Sequence, residues 1–161
     1  DKAKINLTKE IILRGIQPDR IIFGKRLAKL EYLARYKVAD LFLDTLPYNA
    51  GATASDALRM GLPMLTCLGN SLVSRMGASL LNAVNLPELI KTNQEEYELF
   101  AIELAMNPEK LRIIKNKLVS NLPTARLYDT PLFTRNLESA YLKMYDKYQK
   151  GLDSEHIYLE H

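Results

Sequence analysis

The chain is poor in the residues from which most catalytic sites are built. It holds two histidines among 161 residues, His156 and His161, and both lie in the tail. No Ser-His-Asp or Cys-His arrangement can be assembled from its body. Cysteine occurs once, at Cys67. That excludes an internal disulfide and any zinc site of Cys/His spacing, and it makes a reducing, cytoplasmic setting the expectation. No apolar run approaches the roughly 20 residues needed to cross a bilayer. The charged start, Asp1-Lys2-Ala3-Lys4, does not read as a secretory signal. The 22 Lys and Arg are scattered among 19 Asp and Glu, for a net charge of +3. No cationic block marks a nucleic-acid or membrane surface, so neither partner is expected. Gly-x-Gly-x-x-Gly and Gly-Lys-Ser/Thr phosphate loops are missing as well.

What remains is ordinary globular material, 47% apolar and 25% charged, in a length that suits one domain with a proper core. Apolar spacing predicts a helix over 6–14, ended by Gly15, and a short strand at Ile21-Ile22-Phe23. A helix over 27–37 follows, with Leu30, Leu33 and Ala34 inward. Leu41-Phe42-Leu43 is apolar on both faces, as a central parallel strand is. A helix over 53–60 stops at Gly61, Pro63 to Thr66 begins the next strand, and a helix is expected over 72–83. Strands alternating with helices at this pitch indicate βαβ units and a doubly wound, Rossmann-like parallel sheet. Glu88-Leu89-Ile90 reads as a last strand. Two amphipathic helices (93–106 and 108–119) and a final helix to about residue 149 each follow a capping residue. The stripe Phe133, Leu137, Ala140, Tyr141, Met144, Tyr148 on that final helix reads as a packing face. This partition gives a nucleotide-binding part over 1–90, helices packing on it over 91–150, and a tail over 151–161. Leu159-Glu160-His161 resembles a tag remnant, and with the missing initiator Met it makes an excised piece of a longer protein the expectation.

One stretch carries most of the chemical information. After Asp44 come Thr45-Leu46-Pro47-Tyr48-Asn49, then the small residues Ala50, Gly51, Ala52, Thr53 and Ala54 at a helix start. Small residues there leave the first backbone N–H groups open, and open N–H groups at the positive end of a helix form an anion site. Asp56, one turn on, is placed to take ribose hydroxyls. Thr53-x-x-Asp56 also fits a capping box, which needs no ligand. Lys29, Tyr32 and Arg35 recur at i, i+3 and i+6 on one side of their helix, either as an exposed basic face or as a flank of the cradle. Ser71, Ser74 and Arg75 offer a weaker phosphate contact at the next helix. Cys67 reads as an inert core thiol.

These segments resemble a known family. Arg20-Ile21-Ile22-Phe23, Leu33-Ala34-Arg35, the run from Ala39 to Thr45, the run from Pro47 to Leu58, Gly61-Leu62-Pro63 and Ser74-Arg75 are similar, in order, to the O-GlcNAc transferase (SPINDLY-like) family. The likeness runs from about residue 8 to 150 and points to bacterial members that carry tetratricopeptide repeats. The resemblance implies the C-terminal, donor-binding half of a GT-B glycosyltransferase. Lys29 then contacts uridine, Gly51, Ala52 and Thr53 the diphosphate, and Asp56 the ribose, with Tyr32, Arg35, Ser74 and Arg75 around them. It implies UDP-N-acetylglucosamine as donor, no metal or other cofactor, and no catalytic residue within this piece. The expected partners are the N-terminal catalytic half, the repeats and a protein acceptor.

Three departures stand out. Gly51 and Tyr32 occupy positions where many members have histidine, and each lost charge-assisted contact weakens diphosphate binding by about 1–3 kcal/mol. The half's first strand and the family lysine near its start are expected upstream of Asp1. The same residues leave two other readings open, a non-catalytic interaction domain derived from this fold and a GT-B enzyme using a different UDP-sugar.

Overall fold

The computed structural model describes residues 2–159. The tag-like reading of Glu160 and His161 lies outside the described residues. Backbone contacts divide the chain into a first unit up to Tyr32 and a second from Leu33 onward.

The first unit contains α1 (Lys2–Leu13), a 3₁₀ turn at Pro18–Arg20 and the start of α2 (Lys29–Arg35). None of its described residues is buried. Lys4 lies 5.6 Å from the Phe23 ring centroid. The expected strand at Ile21-Ile22-Phe23 does not form: Ile22 is 88% exposed, and no described residue pairs with that segment in a sheet. Extended backbone becomes a strand only through its neighbour's hydrogen bonds. Leu30, expected to face inward, is 82% exposed.

The second unit holds a parallel sheet of β1 (Phe42–Leu43), β2 (Met64–Cys67) and β3 (Ile90–Lys91), in that spatial order. Phe42 aligns with Met64 and Leu43 with Leu65; Thr66 aligns with Ile90 and Cys67 with Lys91. Every residue of β2 is buried, as an apolar run between two parallel neighbours requires. The crossovers are α3 (Ala52–Arg59) and α4 (Met76–Ala83). Both pack on β2, as does α5 (Gln94–Met106). Their buried faces, with Leu118 and Ile114 of α6 (Pro108–Asn121), build one core around Leu58, Met64, Leu81, Val84, Leu86, Leu89 and Leu104.

Local chemistry sets the boundaries. Asn93, Asn107 and Asp129 cap α5, α6 and α7 (Thr130–Gln149), each accepting an N–H three residues on, at 2.8, 3.0 and 2.9 Å. Helix α3 ends in a Schellman motif: Gly61 at φ +79° donates to the Leu58 carbonyl at 2.9 Å and Leu62 to that of Ala57 at 3.0 Å. Two expectations shift. The last strand begins after a 3₁₀ turn at Pro87–Leu89, and α4 starts at Met76 because the preceding residues are spent in a serine-braced turn. One is overturned: α7 buries no residue. Its stripe stays open, with Phe133 64% and Tyr148 78% exposed, because within the second unit α7 packs chiefly against the short turn before it.

Gly61→Ala is expected to destabilise the protein by about 1–2 kcal/mol, the cost of a Cβ in left-handed backbone. The added Cβ meets only Val119 Cγ2 at 3.5 Å, so backbone conformation alone sets the loss. Urea unfolding of the variant measures it.

Candidate functional site

The carboxyl ends of β1 and β2 open on a loop whose shape is fixed by one buried carboxylate. Asp44 follows β1 directly and is 5% exposed. Its Oδ1 accepts the Thr45 N–H at 2.9 Å and the Ala50 N–H at 2.7 Å. Its Oδ2 accepts the Thr66 hydroxyl at 2.6 Å, and its backbone carbonyl accepts the Tyr97 hydroxyl at 2.9 Å. Asn49, equally buried, braces the loop from within: Nδ2 donates to the Thr45 carbonyl at 3.0 Å, and Oδ1 accepts the Gly77 N–H at 3.4 Å. The loop includes a cis Leu46–Pro47 peptide. Helix α4 comes so close that a Cβ on Gly77 would lie 2.5 Å from Asp44 Oδ2 and closer still to Thr66 Oγ1.

The loop delivers the chain to α3. Gly51 is its N-cap, and no side chain caps the helix. Thr53 is therefore inside the first turn and forms no capping box with Asp56. The first helical bond runs from the Ser55 N–H to the Gly51 carbonyl at 3.0 Å. Ala52 and Thr53 precede it on an exposed surface, with N–H groups that the helix itself cannot satisfy. Asp44 already holds the Ala50 N–H, so that amide is not among the open ones the sequence suggested. Two tyrosines grip α3 by its carbonyls: Tyr36 donates to Thr53 O at 3.1 Å and Tyr128 to Ser55 O at 2.8 Å. Asp56 is half-buried on the next turn.

The remaining predicted residues divide between the units. Lys29, Tyr32 and Arg35 all lie on α2. Lys29 and Tyr32 belong to the first unit and Arg35 to the second, one residue before the tyrosine bonded to Thr53. In the second unit Ser74 is buried and closes its turn, donating to the Ser71 carbonyl at 3.1 Å and accepting the Ser71 N–H at 2.9 Å. Arg75 is the exposed N-cap of α4. A cavity of about 620 Å³ opens elsewhere, beside β1, between Leu41 and Leu43 on one side and Leu104, Leu111 and Lys115 on the other. None of the predicted residues lines it. Among the described residues no three His, Cys, Asp or Glu side chains converge as a metal would need. No helix there is long and apolar enough to cross a membrane. Sequence reasoning passed over Asp44, Asn49, Thr66 and Gly77 as site residues; the available signal was a carboxylate ending an apolar strand.

The model of the glycosyl transferase family 41 matches residues 2–137. The chain belongs to glycosyl transferase family 41. This family-41 chain is 36% identical over 145 residues to an Arabidopsis thaliana protein named as a probable UDP-N-acetylglucosamine–peptide N-acetylglucosaminyltransferase, SEC; the match covers 89% of this chain and 15% of that protein. It is 32% identical over 152 residues to the Caenorhabditis elegans UDP-N-acetylglucosamine–peptide N-acetylglucosaminyltransferase, covering 94% of this chain and 13% of the relative. A solved structure of a Thermobaculum terrenum O-GlcNAc transferase mutant superposes with a TM-score of 0.84 at 32% identity, over 92% of this chain and 29% of that one. The chain thus spans about a seventh of the curated relatives' length. The α/β parallel-sheet class and the GT-B likeness expected from the sequence hold.

Burial and charge perturb three groups around this family-41 loop. Burial raises the Tyr97 phenol, and the Asp44 carboxylate adds to it. Burial also raises Tyr128, against an opposing contribution from its bond to Ser55 and from Arg59. Cys67 is buried, as expected, and its thiol is raised by burial first and by Glu96 second.

A phenol whose pKa is higher folded than unfolded keeps its stabilising effect below about pH 10 and loses it as pH climbs through the folded value. Unfolding free energy is therefore expected to fall above about pH 10. Paired Tyr97→Phe and Tyr128→Phe changes are expected to flatten that part of the curve relative to the parent. Urea midpoints from pH 8 to 11.5, a range set around the ordinary tyrosine value of about 10, check the sign.

Proposed function

We propose that this chain is the donor-binding half of an O-linked N-acetylglucosaminyltransferase. In the full-length parent, N-acetylglucosamine passes from UDP to a Ser or Thr hydroxyl of a protein. The observation that carries the reading is the uncapped start of α3, held by a built loop in a family-41 chain. Exposed N–H groups at the positive end of a helix suit a pyrophosphate, whose charge rises as the sugar leaves. In this reading the amides of Gly51, Ala52 and Thr53 and the Thr53 hydroxyl take the diphosphate. Asp56 accepts the ribose hydroxyls, and Lys29 contacts the uridine. The resemblance adds Tyr32 and Arg35 to this set, and Ser74 and Arg75 as weaker contacts. In this reading the nucleotide-sugar part extends to residue 90, and α5 and α6 pack on its sheet.

Tyr32 and Gly51 replace side chains able to carry positive charge, so the burden of neutralising the leaving group shifts to the helix amides. The reaction in the parent needs an acceptor side, supplied here by an N-terminal catalytic half with tetratricopeptide repeats. The setting we assign is cytoplasmic. By itself the piece binds UDP weakly and transfers nothing.

Calorimetric titration with UDP tests this. Asp56→Ala and Lys29→Ala are each expected to weaken binding about 10- to 100-fold, the scale of one charged hydrogen bond. Parent-like binding by both variants would refute the site, and no UDP-sugar hydrolysis by the full-length parent would favour a non-catalytic role.

A further inference from the structure

Asp44 is a charged group in a place where charge is costly. It is 5% exposed, and among the described residues no lysine or arginine pairs with it. Three donors occupy its oxygens: Thr45 N, Ala50 N and Thr66 Oγ1. The two amides lie at opposite ends of the 45–50 loop, so a single oxygen closes that loop into a ring. The second oxygen fastens the ring to β2. Asn49 fastens it to α4 through the Gly77 N–H, and Gly77 has no room for a side chain beside Asp44. The residue that leaves this braced ring is Gly51, the N-cap of α3.

The geometry points to Asp44 as a positioning residue for the nucleotide diphosphate. It touches no ligand. By holding the Ala50 amide inward it orients the next turn, so that the Ala52 and Thr53 amides face outward at a fixed angle. This inference rests on the nucleotide reading above and adds a division of labour: Asp44 serves the diphosphate and not the nucleoside. A carboxylate is suited to the task because one oxygen accepts two amides while the other accepts a hydroxyl. Asparagine can reproduce the pattern if Thr66 reverses its hydrogen bond, since its oxygen still accepts both amides. Alanine cannot.

The test uses the full chain, with UDP and uridine as separate probes read by chemical-shift titration. Asp44→Ala is expected to lose about tenfold or more in UDP affinity, the effect of one misplaced hydrogen-bonding group, with uridine affinity unchanged. Asp44→Asn is expected to bind UDP nearly as the parent does. In the ligand-free protein, amide exchange at Ala50 should accelerate in Asp44→Ala while the Leu65 and Thr66 amides in β2 stay protected, which also verifies that the variant is folded. Unchanged UDP binding by Asp44→Ala overturns the inference, and so does an equal loss for UDP and uridine. Failure of the unaltered chain to bind UDP overturns the nucleotide reading itself, and is recognisable because no substitution is involved.

Discussion

The hydrogen bonds gathered by the Asp44 carboxylate tie β1, the loop after it and β2 together. One side chain connects the end of β1, both ends of the loop after it and the Thr66 hydroxyl on β2. Each buried donor left without that acceptor would cost about 1–3 kcal/mol, so the carboxylate outweighs its own desolvation only while all three stay bonded. Packing follows from the same point. Gly77 lets α4 approach the carboxylate, and Asn49 then reaches the Gly77 amide. Tyr97 reaches in from α5 to the carbonyl of the same aspartate.

Helix α3 inherits its position from that arrangement. Its inner face is small and apolar, with Ala54, Ala57 and Leu58 fully buried, which brings it down onto the sheet. Gly61 and Leu62 close its far end through a Schellman motif, and tyrosines from two sides hold its carbonyls. Every part of the helix is therefore fastened except its first amides. A helix secured by its sides and tail, with its positive end exposed, is preorganised for an anion. The family assignment supplies the identity of that anion in the proposed function: the diphosphate of a nucleotide sugar.

Much of this was readable from the residues. The α/β alternation, the caps at Asn93, Asn107 and Asp129, the stop at Gly61 and the open turn after Gly51 all follow from local rules. Such rules act between residues a few positions apart. What the sequence concealed depends on distant partners. Ile21-Ile22-Phe23 has strand composition but no paired neighbour. The apolar stripe of α7 has helical spacing but no buried residue. Thr53-x-x-Asp56 has capping-box spacing, yet the helix starts at Ala52, two residues earlier than that motif requires. Asp44 and Thr66 are 22 positions apart, and nothing in either neighbourhood announces that they meet. The small-residue helix start after Gly51 was legible, while the carboxylate that braces the loop before it was not.

The account turns on which backbone amides face the ligand, and that can be watched directly. Residue-resolved amide spectra of the chain, recorded while UDP is added, are expected to show the Ala52 and Thr53 amides moving and becoming slower to exchange, with Ala50 staying put because Asp44 already holds it. Shifts confined to the cavity beside β1, or a moving Ala50 with silent Ala52 and Thr53, would contradict it.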